Sequence, residues 1–447
     1  MKRKILFICS PNLGILDNWL PVLKLLKSTG KYEIDIFFPK IETINQFNKN
    51  KLLLKISQSV FDSLVFKDFF NKYLIVKFSK KIIQKFNLNR YLHFILKILF
   101  KILKQEGFYG ERYFYIINYL LIIVKKNNFK NINKNYFTNY NLICYDAIEE
   151  NKNYIKVLNP ILNKIKKFSM HHGSDFPSAS IGNKKISING NKKISINNVF
   201  FINFTKTKLE NNYLNNSFIF KNKPIAFGNP KHDVHWINYI KKNKNYISGY
   251  SFKNFVLLVS RNSGSYYFPL ERKINYLKII KKNILDKNIK IIIKLHPKEN
   301  SISSKELYYE IFGKGNYNKL WFFSDSHIYQ LSKNCLFAIT FFSGVASDLC
   351  RAGVPSIELL DLKGLEHFCS KNELFFDKND KEPIFRIRYY GLVLGSSSEI
   401  DFTNNKNLII QNRSKVLKKI IFNYNKFYRT NNNTIMNIKK YIEKNIE

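Results

Sequence analysis

From Phe255 to Leu360 the chain alternates between short apolar runs and amphipathic stretches, and this alternation restricts the fold more than any other feature. Phe255–Ser260, Ile289–Leu295, Leu320–Phe323, Leu336–Phe341 and Ser356–Leu360 read as strands. Between them, Pro269–Leu285, residues 325–333 capped by Ser324, and residues 344–352 capped by Ser343 and ended by Gly353 read as helices. Strands joined through helices pair in parallel, with the helices packed on the faces of the sheet. A doubly wound α/β domain is therefore expected here.

The N-terminal half repeats the theme more loosely. Lys4–Cys9 is an apolar run, Asn12 to Gly14 make a turn, and Trp19, Val22, Leu23, Leu25 and Leu26 recur at helical spacing before Gly30. Glu33–Phe38 then closes a strand–helix–strand unit. Leu142–Tyr145, the segment KKFSMHHGSDFP (166–177), Val199–Asn203 and Pro224–Phe227 supply later strands. Residues from about 45 to 135 differ. They are rich in Lys, Phe, Leu and Ile at helical spacing, as in RYLHFILKILFKILKQ, and read as a helical insertion. Residues 182–189 and 190–197 both read GNKKISIN, an alternating octapeptide that suggests a β-hairpin or two stacked short strands duplicated in a surface loop. The expected organisation is a Rossmann-like domain over 1–240 carrying the insertion, a polar linker, a second Rossmann-like domain over 250–410, and a helical tail over 411–447.

Composition narrows the function classes. The 447 residues suit two domains, and 45% hydrophobic content fits packed cores rather than disorder. The opening MKRKILFIC is too short for a signal peptide and runs into Ser-Pro-Asn, so a soluble, cytoplasmic protein is expected. The apolar stretch Phe114 to Val124 is eleven residues, against about twenty for a membrane span. Five cysteines (Cys9, Cys144, Cys335, Cys350, Cys369) lack CxxC spacing and read as buried thiols of a reducing compartment. The formal net charge of +42 points to anionic partners: nucleic acid, an anionic membrane surface, or phosphorylated substrates. An AT-rich coding sequence, which favours Lys, Asn, Ile, Phe and Tyr, accounts for the same excess. No RRM, KH, zinc-finger or helix-turn-helix signature accompanies the charge, so no specific nucleic-acid role is expected.

The polar residues of the second half gather at expected strand ends. Arg261 follows the first strand within SRNSGS. His296 ends the second, with Pro297 fixing the turn, and Ser343-Gly344 ends a third at a helix start. Glu358 lies in the last strand. Ligands of open α/β sheets bind outside such ends. A helix start with Ser-Gly suits a diphosphate, Arg261 supplies a guanidinium fork, and an imidazole there protonates or hydrogen-bonds a phosphate oxygen. Glu358 is placed to accept from ribose hydroxyls. In the first half, Asn12 and Gly14 form a comparable tip loop, and Gly173 and Asp175 follow the paired histidines His171 and His172. Gly228, Lys231 and Asp233 of GNPKHD (228–233) are read as hinge or cleft residues.

Taken together, KLHPKE, FFSGVASDLCRAGVPSIE, GNPKHD and HHG resemble the GT-B superfamily, and within it the bacterial surface-polysaccharide enzymes: the CDP-glycerol glycerophosphotransferase and capsule or Kdo-transferase-like groups. The resemblance is good over about 225–365, weaker over 1–40 and 165–180, and absent over 45–135. It implies two Rossmann-like domains facing across a cleft. It implies that His296, Ser343 and Gly344 contact donor phosphates and that His171 or His172 is the catalytic or acceptor-side histidine. The glycerophosphotransferase pattern has a tryptophan before its histidine-glycine where Met170-His171 stands here, and His232 is unusual in GNPKHD. The implied function is transfer of a glycosyl or alditol-phosphate group from a CMP-, CDP- or UDP-linked donor to a surface polysaccharide or lipid-linked acceptor, at the inner face of the membrane. A GT-B sugar-nucleotide epimerase is the alternative, with Asp17, Asp146, Glu149 and Glu150 available as bases. The sequence holds no Asp-x-Asp pair; Glu33-Ile34-Asp35 and Glu399-Ile400-Asp401 come nearest. No metal and no resident cofactor are therefore expected.

Overall fold

The computed structural model describes residues 2–9, 13–39, 43–44, 47–48, 50–67, 73–78, 130–146, 165–171, 194–196, 199–207, 218–243, 254–264, 268–296, 299, 302–361, 363, 376–377, 382–383 and 386–446.

The first sheet contains β1 (Arg3–Ile8), β2 (Tyr32–Phe38), β3 (Ser63–Lys67), β4 (Tyr73–Lys77), β5 (Lys130–Ile132), β6 (Leu142–Asp146), β7 (Lys166–Met170), β9 (Val199–Asn203) and β11 (Ile225–Ala226). A separate parallel pair joins β8 (Ile194–Ile196) to β10 (Phe218–Phe220). The order in the first sheet is β11-β9-β7-β6-β1-β2-β3-β4-β5, with all strands running the same way except β4, which is antiparallel to both β3 and β5. Four consecutive residues of β1, Ile5 to Ile8, are buried, as a strand covered on both faces requires. On one face lies helix α1 (Gly14–Ser28), which buries Trp19, Leu20, Leu23 and Leu26.

The stretch read as a helical insertion is different where it is described. It gives one helix, α2 (Lys51–Gln58), and the edge strands β3, β4 and β5. SLVFK and YLIVK are each five residues with β-branched side chains, too short to form a helical face but enough to extend an open sheet edge. Residues 79–129 lie outside the described residues. Of the octapeptide repeat, residues 194–196 of the second copy pair in parallel with β10, and the first copy lies outside the described residues.

The second sheet is built from β12 (Phe255–Val259), β13 (Ile291–Lys294), β14 (Trp321–Phe323), β15 (Cys335–Thr340), β16 (Ser356–Leu359) and β19 (Leu394–Ser396). A short antiparallel pair, β17 (Phe376–Asp377) and β18 (Glu382–Pro383), lies outside it. Its order, β14-β13-β12-β15-β16-β19, is all parallel and is that of a Rossmann domain. The strand order reverses between β12 and β15, which makes their tips the natural ligand crevice. Its helices are α4 (Leu270–Asn283), α5 (Ile302–Phe312), α6 (Ile328–Leu331), α7 (Val345–Arg351) and α8 (Arg386–Tyr389). The doubly wound expectation holds for both halves.

Apolar packing joins the domains. Helix α3 (Val234–Lys242) puts Trp236, Ile237 and Ile240 into one cluster with Ile328, Leu349 and Leu257 of the second domain. Helix α9 (Glu399–Phe427) buries Phe402, Ile409, Val416 and Ile420 in the second domain. The chain then crosses back. Tyr428 bridges to Thr205, and α10 (Thr434–Ile446) lies against α1. Tyr441 of α10 packs on Phe168 (5.8 Å between centroids) and Phe227 (5.2 Å) of the first domain. Burying Ile438 and Ile442 there contributes about 1.5–3 kcal/mol each. The tail is thus divided between the two domains.

Candidate functional site

The tips of β13, β12, β15 and β16 stand side by side, and they carry His296, Arg261, the turn Phe341–Gly344 and Glu358. β15 ends at Thr340, and the next residue, Phe341, stacks its ring on Tyr276 (5.9 Å, 16° between planes). With Phe341 committed to the core, the next residue must turn sharply. Phe342 adopts φ +57°, a left-handed conformation uncommon outside glycine. Arg261 reaches across from β12, donates to the Phe342 carbonyl and sits 5.2 Å over its ring. Non-glycine backbone in this region costs of order 1–3 kcal/mol and clusters at ligand sites.

Ser343 and Gly344 behave less specially than expected. Gly344 has ordinary helical angles (φ −58°, ψ −19°) and is the N-cap of α7; the left-handed residue is Phe342. The Ser343 hydroxyl accepts the Val345 N–H at 3.3 Å, a local cap. Helix α7 has only seven residues, against the nine expected, so a small share of the positive charge comes from its dipole. Arg261 is the stronger source.

His296 is half-buried at the tip of β13, and its backbone N–H is held by Glu299 Oε2 at 2.8 Å. Glu299 is itself buried. It also accepts from Ser260 Oγ (2.8 Å) and pairs with the Lys273 ammonium. The sequence reading quoted KLHPKE but gave Glu299 no role; a carboxylate three residues past a strand-ending histidine was the available signal.

Glu358 is 1% exposed and its Oε2 accepts from Arg388 Nε at 2.8 Å. Arg388 also donates to the Glu358 and Leu360 carbonyls. Gly395 makes room for this guanidinium, since a Cβ there would lie 2.6 Å from Arg388 Nε. Burial raises the Glu358 carboxyl above its usual range, opposed by Arg388 and, less strongly, by Arg261. Its Oε1 is buried without a hydrogen-bond partner among the described residues. One oxygen is thus committed to Arg388 and the other is enclosed, so Glu358 braces Arg388 rather than facing the crevice.

The GNPKHD segment lies at the domain junction. Gly228 has φ +92°, and a Cβ there would lie 2.4 Å from the Thr430 backbone, so only glycine fits. Asp233 caps α3 through the His235 N–H (3.0 Å) and accepts the Ile435 N–H of α10 at 3.3 Å. Lys231 is buried and pairs with Asp348 of α7 at 3.0 Å. These three residues tie the domains together; Lys231 and Asp233 are buried in the junction, not presented to a cleft. His232 completes the group. Its Nε2 donates to Asp348 Oδ1 and its Nδ1 accepts from the Tyr424 hydroxyl, each at 2.6 Å. Burial depresses the imidazole below its usual range, although Asp348 partly restores it.

A second contact, between a histidine and a carboxylate, crosses the junction nearby. Asp17, in the first turn of α1, lies 3.2 Å from His327 Nε2. His327 Nδ1 accepts the Tyr329 N–H and caps α6, so the proton resides on Nε2 and faces Asp17. The sequence reading placed this cap at Ser324. Burial raises the Asp17 carboxyl, but His327, by charge and hydrogen bond, and Lys231 outweigh it and hold it below the usual range.

In the first domain, Gly14 opens α1, which is fastened to the tips of β6 and β7. Asn18 Nδ2 donates to the His171 carbonyl (2.7 Å) and Trp19 Nε1 to the Tyr145 carbonyl (3.2 Å). Asp146 ends β6, buried beside Met170. His171 is 1% exposed with its ring 4.0 Å from that of Phe204, so it is packed into the core rather than facing open space. Asn12, His172, Gly173, Asp175 and Pro297 lie outside the described residues. Among the described residues no three His, Cys, Asp or Glu side chains converge as metal ligands, and no helix is long and apolar enough to cross a membrane.

No family model matches the chain, and no curated protein matches it. Solved structures do. The UDP-GlcNAc 2-epimerase from Methanocaldococcus jannaschii aligns with a TM-score of 0.54 at 14% identity, covering 99% of both chains. MnaA from S. aureus, solved with UDP, aligns with a TM-score of 0.53 at 11% identity, covering 100% of this chain and 97% of that one. At this identity the likeness is one of fold. With the two Rossmann-like sheets, it makes the chain a GT-B-fold protein.

Proposed function

We propose that the protein is an enzyme acting on a nucleotide-activated sugar, seated with its phosphates at the β12–β15 crevice of the second domain. The observation that carries this reading is the convergence of Arg261, His296 and the left-handed Phe342 turn at the strand tips where a Rossmann sheet reverses order. Arg261 offers charge to the phosphates and His296 a proton or hydrogen bond to the leaving oxygen. A UDP-linked donor is the first candidate, because the similar solved structures are a UDP complex and a UDP-GlcNAc 2-epimerase; CDP- and CMP-linked donors follow.

Two reactions fit this site. Transfer of a glycosyl or alditol-phosphate group to a glycan or lipid-linked acceptor is favoured by the HP and Ser-Gly motifs. Epimerisation is favoured by the likeness to UDP-GlcNAc 2-epimerases. It needs a base on the first-domain side, for which Asp146 at the tip of β6 is a candidate; Asp17 is committed to His327. Charge on the departing phosphate is neutralised by Arg261 and His296, so turnover is metal-independent. The acceptor reading places the protein in the cytoplasm at the inner face of the membrane, with its basic surface drawn to anionic lipid.

The test is a donor screen with UDP-, CDP- and CMP-sugars in excess EDTA, followed by NMR. Acceptor-dependent release of nucleotide supports transfer. Interconversion of sugar epimers without acceptor supports epimerisation. Neither change, or activity restored only by Mg²⁺, contradicts the reading as stated.

A further inference from the structure

Glu299 lies behind the proposed site and touches both of its loops. It is 1% exposed. Its Oε2 takes the His296 backbone N–H at 2.8 Å, and its Oε1 takes the Ser260 hydroxyl at 2.8 Å. The Lys273 ammonium pairs with Oε1 and donates at 3.1 Å to the carbonyl of Arg261. Tyr308 of α5 closes the group, with its ring 5.1 Å from Lys273 Nζ and its hydroxyl hydrogen-bonded to Ser260. One ion pair, supplied by α4 and the loop after β13, therefore grips the main chain at Arg261 and at His296.

Net stability is a poor reason for such a pair. Desolvating two charges costs about as much as their attraction returns, and apolar replacements are often neutral or better. Burial holds the Lys273 amine below its usual range, with Glu299 opposing the shift. The geometry instead matches what a phosphate site requires, namely side chains held on a main chain that does not drift. Misplacement by about 1 Å costs of order a hundredfold in rate.

We propose that the Lys273–Glu299 pair is a positioning device for the donor site, fixing the backbone of the β12 and β13 tips so that Arg261 and His296 address the same phosphate group. This rests on the nucleotide-sugar reading above. Glu299 and Lys273 do not touch the substrate; they act through Arg261 and His296.

The test is the double variant Lys273→Met/Glu299→Leu, which removes both charges and leaves neither unpaired. Two quantities are measured: the UDP dissociation constant by calorimetry, per folded molecule, and amide hydrogen exchange at His296 without nucleotide. The expected result is a UDP affinity roughly 10–100-fold weaker, the usual cost of losing an outer-shell partner, with markedly faster exchange at His296. Should the double variant not fold, Glu299→Gln is read the same two ways. Wild-type UDP affinity in the variant, or unaltered exchange at His296, overturns the proposal. If the wild-type protein binds no UDP, CDP or CMP, it is the nucleotide-sugar reading that falls, and the exchange measurement still decides whether the pair holds the loop.

Discussion

Asp348 lies 2.6 Å from His232 and 3.0 Å from Lys231, and through these contacts the segment leaving the first domain grips the helix that starts at the proposed donor site. Removing Asp348 would leave the Lys231 ammonium buried without its counter-charge. Breaking a buried pair in this way costs roughly 3–5 kcal/mol. Asp348→Ala is therefore expected to lower the urea midpoint sharply, whereas Asp348→Ala/Lys231→Met recovers part of the loss. Equal stability of the wild type and Asp348→Ala would show that the pair is not desolvated.

The same junction makes stability pH-dependent. His232 titrates below the ordinary histidine value in the folded state, so the unfolded chain binds the extra proton first as pH falls. Its contribution is complete above about pH 6.5 and is lost as pH falls from there towards the folded value. Asp17 has a depressed carboxyl, so its contribution is present above about pH 4 and is lost on acidification below that. Denaturation of the wild type and of His232→Gln, compared as pH falls below about 6.5, should show the variant losing less stability on acidification. An identical slope would remove His232 from the account.

Asp35 carries the opposite sign. It is buried in β2, hydrogen-bonded by the Tyr140 hydroxyl at 2.7 Å, and burial pushes its carboxyl up to about 6. Its folded value lies above the unfolded one, so its contribution is present at low pH and is lost as pH rises from about 4 through 6. Asp35→Asn keeps an oxygen for Tyr140 and removes the charge. It should stabilise the protein at pH 8 by roughly 1–2 kcal/mol and leave it nearly unchanged at pH 4. Destabilisation at pH 8 would contradict this.

Gly228 tests the junction sterically. A methyl group there meets the Thr430 backbone at a residue with φ +92°. Gly228→Ala should cost more than about 3 kcal/mol and separate the 428–434 crossover from the first domain. It should be read as proteolytic release of α10, and an intact, protease-resistant variant would refute the close contact.

The second domain was legible in the sequence because β12, β13 and β15 are short apolar runs separated by amphipathic helices, a pattern with few topologies available to it. Its site was legible in part. Arg261, His296 and Phe341–Gly344 could be placed at strand tips from chain position alone. The left-handed turn at Phe342 was not legible; it comes directly after Phe341, which is held against Tyr276, a contact between distant residues. Lys231 and Asp233 read as hinge or cleft residues because a polar turn between strand and helix is ordinarily exposed; here α7 and α10 cover it at the domain junction. The role of His327 depends on a partner 310 residues away, which no local pattern encodes, and that of Glu299 is only half local, resting on His296 three residues away and on Ser260 39 residues away. β3 and β4 were hidden in a Lys/Phe/Ile-rich region whose composition suits either secondary structure.

The most direct measurement is calorimetric titration of UDP into the wild-type protein and into His296→Ala. The imidazole is half-buried at a strand tip and lies outside the core packing, so the variant should melt within a few degrees of the wild type. The account predicts saturable UDP binding by the wild type, unaffected by EDTA, and affinity at least about tenfold weaker in the variant, the scale of one lost charge-assisted hydrogen bond. No binding of UDP, CDP or CMP by the wild type, or equal affinity in the two proteins, would contradict it.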